Sequence, residues 1–230
     1  MRSANHQRGS SISTAIATYD HTMTMPEVEL CTAWHLLAGR AHDPLLQQLL
    51  ASHREPHRRY HTATHVVWVL RHVRDIVSAG EQATDVHAVQ LAALYHDVVY
   101  DPSASDNEAR SATIAVRAAT EIGWPRARCD MVERLVLATA GHVPHDFDEA
   151  VLVDADLAIL GANPSDYSAY AIGIRAEYGH VPDDAWRSGR GEVLRGFLAL
   201  PRLFTTAYMR TARESRARAN ITAELAALRA

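Results

Sequence analysis

Three short segments of this chain carry closely spaced histidine or aspartate residues. Their members are His61 and His65, His96 and Asp97, and Asp154 and Asp156. Divalent ions of intermediate hardness accept imidazole nitrogen and carboxylate oxygen together, and a mixed set leaves coordination positions open for water or a substrate. His61 and His65 are four residues apart, so near a helix start they project from the same side, one turn apart. The three segments together therefore indicate a metal site, although His96 and Asp97 alone would also fit a hydrogen-bonded pair at a helix end.

Several other chemistries lack the residues they need. All 23 basic residues are arginine, so no lysine amine is present for a Schiff base or for a phosphate-binding P-loop. The chain has no GxSxG, GxGxxG or HExxH motif. Cys31 and Cys129 are far apart and form no CxxC motif, which excludes a disulfide framework and a zinc ribbon. This cysteine usage favours a reducing cytoplasm.

The composition is that of a folded protein with small-molecule rather than nucleic-acid chemistry. A chain of 230 residues, 47% hydrophobic and 22% charged, buries a core without needing a structural metal, so a metal here would be functional. No apolar run reaches the length of a membrane-spanning helix. The net charge of −4 does not favour binding to nucleic acid. A homo-oligomer stays open, because the apolar residues of the last segment could pack inside the chain or against a second copy.

The elements that would position these residues are helices, since the apolar periodicity is helical and alternating patterns are nearly absent. We expect an all-α fold, a single helical domain over 26–230 preceded by a disordered tail over 1–25. Thr84 is expected to cap the fourth helix, and a strand remains an alternative at 151–153. The predicted segments are about 26–37, 43–50, 62–79, 84–97, 107–122, 125–140, 151–160, 165–178, 182–200 and 214–229.

The order of the motifs resembles the HD superfamily of metal-dependent phosphohydrolases, which carry a His, a His-Asp doublet and a distal Asp on a helical bundle. The segment 60–65, Tyr-His-Thr-Ala-Thr-His, is similar to the YHNxxH segment of the cyclic-nucleotide phosphodiesterase branch, with Thr62 in place of the asparagine. Over about 30–228 the chain resembles a bacterial branch of HD phosphohydrolases. The segments that carry this second resemblance are 96–101, 107–112, 139–142, 156–161, 175–178 and 217–220.

This resemblance implies roles for five side chains. His61 would be the general acid, and His65, His96, Asp97 and Asp156 would be the metal ligands, with Asp154 as the fallback for the distal ligand. Adjacent residues on a helix diverge by about 100°. Of the doublet, Asp97 is therefore the expected bridge if two ions bind, and it would then hold the attacking hydroxide.

A second tier of residues could lie near the site. Asn107 and Glu108 could receive a water or a second ion, but they also suit the first turn of a helix. His142 could add a ligand or complement a helix end. Arg175 is the first candidate to grip a phosphate, ahead of Arg190 and Arg218. His72, flanked by two arginines, is expected at a solvated edge.

The expected function is metal-dependent hydrolysis of a nucleotide or another small phosphate ester, with one or two ions of Mn, Fe, Ni, Co, Zn or Mg. Two alternatives use the same site. One is a nucleotide-binding or regulatory module without turnover, and the other is a di-iron oxygenase, for which His142 would be the additional ligand.

Overall fold

The computed structural model describes residues 24–229, and these residues form ten α-helices and two short 3₁₀ helices. No strand occurs among the described residues, so the predicted all-α fold class is confirmed. The α-helices are α1 (Met25–Leu37), α2 (Asp43–His53), α3 (Ala63–Ser78), α4 (Val86–Tyr95), α5 (Asn107–Glu121), α6 (Arg126–Ala138), α7 (Phe147–Asp156), α8 (Pro164–Glu177), α9 (Asp183–Ala199) and α10 (Ala207–Ala227). The 3₁₀ helices are Arg40–His42 and Leu157–Gly161.

Helix α4 lies at the centre of the bundle. Leu91 and Leu94 are completely buried, and so are the alanines between them. A helix with so large a buried apolar surface needs several neighbours, and α4 packs against α3, α5, α6 and α7. Its C-terminal end, which leads into His96 and Asp97, is thereby carried into the interior.

Helix α3 packs beside α4 through a stripe of apolar residues along one face. Val66, Val69, Val73 and Ile76 recur at helical spacing and are all completely buried. The stripe contacts α1, α4 and α7. This packing fixes the rotation of α3 and therefore the direction of His65 in its first turn.

His72 contradicts the expectation of a solvated edge. Its exposed fraction is 7%. Its Nδ1 donates to the Trp68 carbonyl at 2.8 Å, and its Nε2 accepts from the Arg213 guanidinium at 2.7 Å. The prediction is wrong because α10, which carries Arg213, covers this part of α3.

The segment 151–153 is helical, so the strand alternative is wrong. Val151 and Leu152 are completely buried inside α7, which packs against α3 and α4. Helix α7 ends at Asp156, where the chain tightens into the 3₁₀ helix Leu157–Gly161. Asp156 thus occupies a helix end in the interior of the bundle.

Two helix starts differ from the prediction. Helix α4 is capped by Asp85 rather than Thr84, because the Asp85 carboxylate accepts a backbone N–H of the first turn at 3.1 Å. Helix α10 begins at Ala207 rather than at position 214, and its N-cap is Thr206. The Thr206 hydroxyl accepts a first-turn N–H, which is the capping pattern that the sequence interpretation overlooked.

The predicted tail, 1–25, lies outside the described residues except for its last two positions. Thr24 precedes α1, and its backbone N–H donates to the Glu27 carboxylate at 2.6 Å. Met25 is the first residue of α1, one position before the predicted start.

Helix α10 is the longest of the described helices, with 21 residues, and it carries many arginines. Among the helices of residues 24–229, none has both the length and the apolar character required to cross a membrane.

Candidate metal centre

Three helix ends bring the predicted ligands to one place. His65 lies in the first turn of α3, His96 is the C-cap residue of α4, and Asp156 is the last residue of α7. Asp97 follows His96 in the turn after α4. Since α3, α4 and α7 pack on one another, their ends converge in the interior.

The carboxylate oxygens of Asp97 and Asp156 each lie 3.0 to 3.6 Å from the two histidine nitrogens. Nε2 of His65 and Nε2 of His96 are 3.1 Å apart. Oδ1 of Asp156 is 3.2 Å from the first nitrogen and 3.6 Å from the second. Oδ2 of Asp97 is 3.3 Å from His65 Nε2 and 3.0 Å from His96 Nε2. The structure therefore places both predicted carboxylates beside the histidine pair, and His65, His96 and Asp156 are the three whose ligand atoms are all close to one another.

The spacing and chemistry of this cluster fit a divalent ion. Ligands about 2.1 Å from a metal lie about 3.0 Å apart in octahedral geometry and about 3.4 Å apart in tetrahedral geometry. His65, His96 and Asp156 form a group whose ligand atoms could hold one ion. Mn, Fe, Co, Ni and Zn bind imidazole nitrogen together with carboxylate oxygen. The cluster offers two imidazole nitrogens that face each other, with carboxylate oxygens around them.

The two histidine rings are almost fully enclosed, whereas the carboxylates reach solvent. The side chains of His65 and His96 are 2% and 1% exposed, and those of Asp97 and Asp156 are 18% and 15% exposed. Nδ1 of His96 donates to the Ala93 carbonyl at 3.0 Å, which leaves its Nε2 as the coordinating atom. The exposed side of the cluster is therefore the carboxylate side, where water or a substrate can approach.

The imidazoles and carboxylates shift one another's pKa. Burial raises the pKa of Asp97 and Asp156, but the neighbouring histidines outweigh it and hold both well below the usual range. Burial also lowers the pKa of His65 and His96, and the two carboxylates outweigh it and raise both. The cluster thus attracts positive charge, whether protons or a metal ion.

Asp154, the fallback ligand, points away from this cluster. It is completely buried and accepts hydrogen bonds from the backbone N–H groups of Thr205 and Thr206, at 2.9 and 2.7 Å, and from the Thr206 hydroxyl at 2.7 Å. Asp154 therefore joins α7 to the start of α10. The preference for Asp156 over Asp154 agrees with this arrangement.

His61 lies beside the cluster and is held by Glu177, the last residue of α8. Its Nδ1 donates to the Glu177 carboxylate at 2.7 Å. Its Nε2 is 3.9 Å from Oδ2 of Asp97, so the free nitrogen faces the candidate metal centre. Burial raises the pKa of Glu177, but hydrogen bonds from the His61 ring and from backbone N–H groups outweigh it and lower that pKa to about 2.

Arg58 ties the two motif-bearing segments together. Its side chain has no exposed area. It donates to the carbonyls of His61 and Asp97, at 3.1 and 2.7 Å, and to the Val98 carbonyl at 3.1 Å. One guanidinium therefore fixes the backbone at His61 relative to the backbone at Asp97.

The second-tier residues divide into two groups. Nε2 of His142 lies 3.3 Å from Oδ2 of Asp156, and the His142 backbone has a φ of 51°, in the left-handed region. Asn107 and Glu108 line a cavity that Asp97 and Asp156 also line. The Asn107 side chain forms hydrogen bonds with the backbone of residue 101. His142 is thus adjacent to the cluster, whereas Asn107 and Glu108 lie across a cavity from it.

Arg175 is engaged away from the cluster. It donates to the Tyr178 and Val181 carbonyls and pairs with Asp183 at 2.6 Å. Of the arginines considered for binding phosphate, Arg190 rather than Arg175 lines the cavity next to the candidate metal centre.

Glu177 and Arg58 received no role from the sequence. The sequence separation between Glu177 and His61 is 116 positions, so no local motif links them. The only signal was that the segment 175–178 resembles the bacterial HD branch. Arg58 lies just before the first motif, but an arginine among arginines and histidines gives no sign of burial.

No model of a protein family matches this chain, and no match is found among curated proteins or among solved structures.

Proposed function

We propose that this protein is a metal-dependent phosphohydrolase of the HD type that hydrolyses a nucleotide or another small phosphate ester. The observation that supports the proposal most is the group of ligand atoms from His65, His96 and Asp156, with Asp97 beside both histidines and the Nε2 atom of His61 facing Asp97. The four residues would hold one or two divalent ions. A bound ion supplies Lewis acidity, which polarises a phosphoryl oxygen and makes a water molecule more acidic.

His61 supplies the proton that the departing alcohol needs. Hydrolysis forms a bond between the water oxygen and phosphorus and breaks the ester bond from phosphorus to the alcohol oxygen. The alcohol oxygen leaves with negative charge and takes a proton from Nε2 of His61. The Glu177 carboxylate accepts a hydrogen bond from Nδ1 and keeps Nε2 directed at the site.

Asp97 and Asp156 act on the other side of the reaction. Both are partly exposed, so a carboxylate oxygen of Asp97 can accept a hydrogen bond from the attacking water and orient it, and the proton that the water loses passes to solvent on this exposed side. The nearly sealed imidazoles behind them keep bulk water away from the opposite face. The products are inorganic phosphate and an alcohol.

The experiment is phosphate release from a panel of phosphate esters by chelated protein to which Mn, Mg, Zn, Fe, Co or Ni is returned. We expect turnover with wild-type protein and loss of it in His65→Ala. The control is His87→Ala, a change at an exposed histidine in the first turn of α4. Turnover that persists in chelated His65→Ala protein would refute the mechanism, and tight nucleotide binding without any product would favour a regulatory module.

A di-iron oxygenase is the second candidate, and the position of His142 favours it. Its Nε2 lies 3.3 Å from Oδ2 of Asp156, close enough to the cluster for His142 to serve as an additional ligand. Iron in the purified protein, a spectral change on exposure to oxygen and no release of phosphate would select this candidate. A colourless protein active with Mg or Mn would exclude it.

A further inference from the structure

A mostly apolar cavity opens beside the candidate metal centre. Its volume is about 540 Å³. His61, His142 and Asp156 line one end of it, and the remainder is formed mainly by α8, α9 and the 3₁₀ helix after α7. A group attached to a phosphate at the metal centre would therefore extend into this cavity, which is within the size range of small-molecule sites.

Away from that polar end, the wall consists mostly of aliphatic and aromatic side chains. Leu157 and Ile174 line it and are 6% and 7% exposed. Trp186 and Phe197 add aromatic surface, and Val193, which is 52% exposed, lies at the rim. Such a wall stabilises apolar ligand area and offers aromatic faces against which a ring can pack.

The single cationic side chain of this wall is already neutralised. Arg190 is 8% exposed. It binds both oxygens of the Glu224 carboxylate, at 2.8 and 3.1 Å, and the hydroxyl of Tyr170 at 3.1 Å. A second or third phosphate, or a carboxylate on the ligand, would find no unpaired cation in this wall and would remain uncompensated.

A polar ring system fits poorly for a related reason. Tyrosines are the main polar groups of this wall: the hydroxyls of Tyr100 and Tyr170 are engaged by Glu177 and Arg190, and the buried Tyr60 hydroxyl has no partner among the described residues. A sugar or a nucleobase carries several hydroxyl or amide groups, so most of them would stay unpaired here. A polar group that loses its hydrogen bonds to water and gains none from the protein weakens binding, and this discriminates against polar ligands. The wall thus favours an uncharged ring with few polar atoms.

We propose that this cavity binds the alcohol part of the phosphate ester and that this part is an uncharged, apolar, ring-bearing group rather than a nucleoside or a polyphosphate. This inference rests on the proposed function only in placing the phosphate at the metal centre. It narrows the substrate to a phosphate ester of an apolar ring-bearing alcohol or phenol.

Two glycines of α9 provide a matched pair of variants. Gly189 lines the cavity, and a Cβ added there meets no atom within 4 Å, so Gly189→Leu places a side chain at its mouth without a backbone clash. Gly196 lies on the same helix, is exposed, and also has no atom within 4 Å of an added Cβ. Gly196→Leu is therefore the same change outside the cavity.

The test is calorimetric binding to the full chain loaded with Mn, using phosphonates that cannot be hydrolysed. The probes are 1-naphthylmethylphosphonate, methylphosphonate and the 5′-methylenephosphonate analogue of adenosine monophosphate. We expect the naphthyl compound to bind at least about tenfold more tightly than either of the others, which is about 1.4 kcal/mol. Gly189→Leu should remove most of this preference, and Gly196→Leu should retain it.

Equal affinities for the naphthyl and methyl compounds, tighter binding of the adenosine analogue, or no binding of any probe would overturn the inference. An unchanged preference in a folded Gly189→Leu protein would overturn it as well. Phosphate release from 1-naphthyl phosphate is measured separately. Binding without release would refute the proposed hydrolysis and leave the assignment of the cavity in place.

Discussion

The carboxylate of Glu177 accepts a hydrogen bond from Nδ1 of His61 at 2.7 Å, and the opposite nitrogen of the ring faces Asp97. The same carboxylate accepts the Tyr100 hydroxyl at 2.9 Å and the backbone N–H groups of residues 59–61. One buried acid at the end of α8 therefore fixes both the ring and the loop that carries it. Glu177 is a positioning residue for the proposed general acid.

Changing Glu177 to glutamine should lower kcat by about 10- to 100-fold, which is typical of residues that orient a site group. The amide holds the Nδ1–H of His61 less strongly than the carboxylate does, so Nε2 should be directed less well at the site. Bound metal should stay unchanged. Glu192→Gln, at an exposed position of α9, is the control. Unchanged kcat in Glu177→Gln would show that the carboxylate only supports the loop.

Replacing His61 by glutamine should lower kcat by about 10²- to 10⁴-fold, because the departing alcohol then leaves without a proton. The loss should be much smaller for 4-nitrophenyl phosphate, whose leaving group is stable without protonation. Metal content should match the wild type, since His61 is not among the proposed ligands. Equal losses for good and poor leaving groups would argue against a general acid at this position.

Mutations of the two aspartates at the end of α7 should have different effects, one on metal binding and the other on stability. Asp156→Asn should lose bound metal while the protein remains folded. Asp154→Asn removes the charge that accepts the N–H groups of Thr205 and Thr206, and should cost about 1–3 kcal/mol of unfolding free energy while metal is retained. Metal analysis and urea unfolding of both variants measure this difference. Metal loss in Asp154→Asn together with retention in Asp156→Asn would contradict the ligand assignment.

Acid should destabilise the fold partly through His72. Burial, followed by the charge of Arg213, lowers the pKa of this imidazole from 6.5 to about 4. The unfolded chain therefore takes up the proton first, so the contribution to stability is complete above pH 6.5 and is lost as the pH falls from 6.5 toward 4. The slope is at most about 1.4 kcal/mol per pH unit.

Urea unfolding of wild-type protein and of His72→Gln between pH 7 and pH 4.5 measures this contribution. Glutamine keeps a donor and an acceptor but does not titrate in this range. The free energy of unfolding of the variant should fall less steeply over the interval. Identical slopes in the two proteins would contradict the assignment of a neutral, buried His72.

The metal cluster could be predicted because its geometry is largely local. His96 and Asp97 are neighbours, His61 and His65 are one turn apart, and each motif borders a break in the helical periodicity. Polar residues at the ends of apolar helices meet when those helices pack together. The helix class therefore followed from the apolar periodicity, whereas the choice of the four side chains followed from the resemblance to the HD superfamily.

The surroundings of the cluster could not be predicted, because they depend on the rotation of each helix. Arg175 and Glu177 are two residues apart on α8, so they point about 200° apart. The sequence favoured Arg175 as the functional residue, but α8 turns Glu177 toward His61 and leaves Arg175 with Asp183. Arg190 reaches the cavity wall, but its partner Glu224 lies on another helix and is not recognisable from the sequence.

The central claim is that the atoms gathered from α3, α4 and α7 bind a divalent metal ion, and its most direct test is elemental analysis combined with metal titration of the purified chain. Wild-type protein and the exposed-site variant His87→Ala should bind Mn, Fe, Co, Ni or Zn stoichiometrically, and a folded His65→Ala protein should bind none. Equal metal content in all three proteins, or no uptake of any of these ions by the wild type, would contradict the claim.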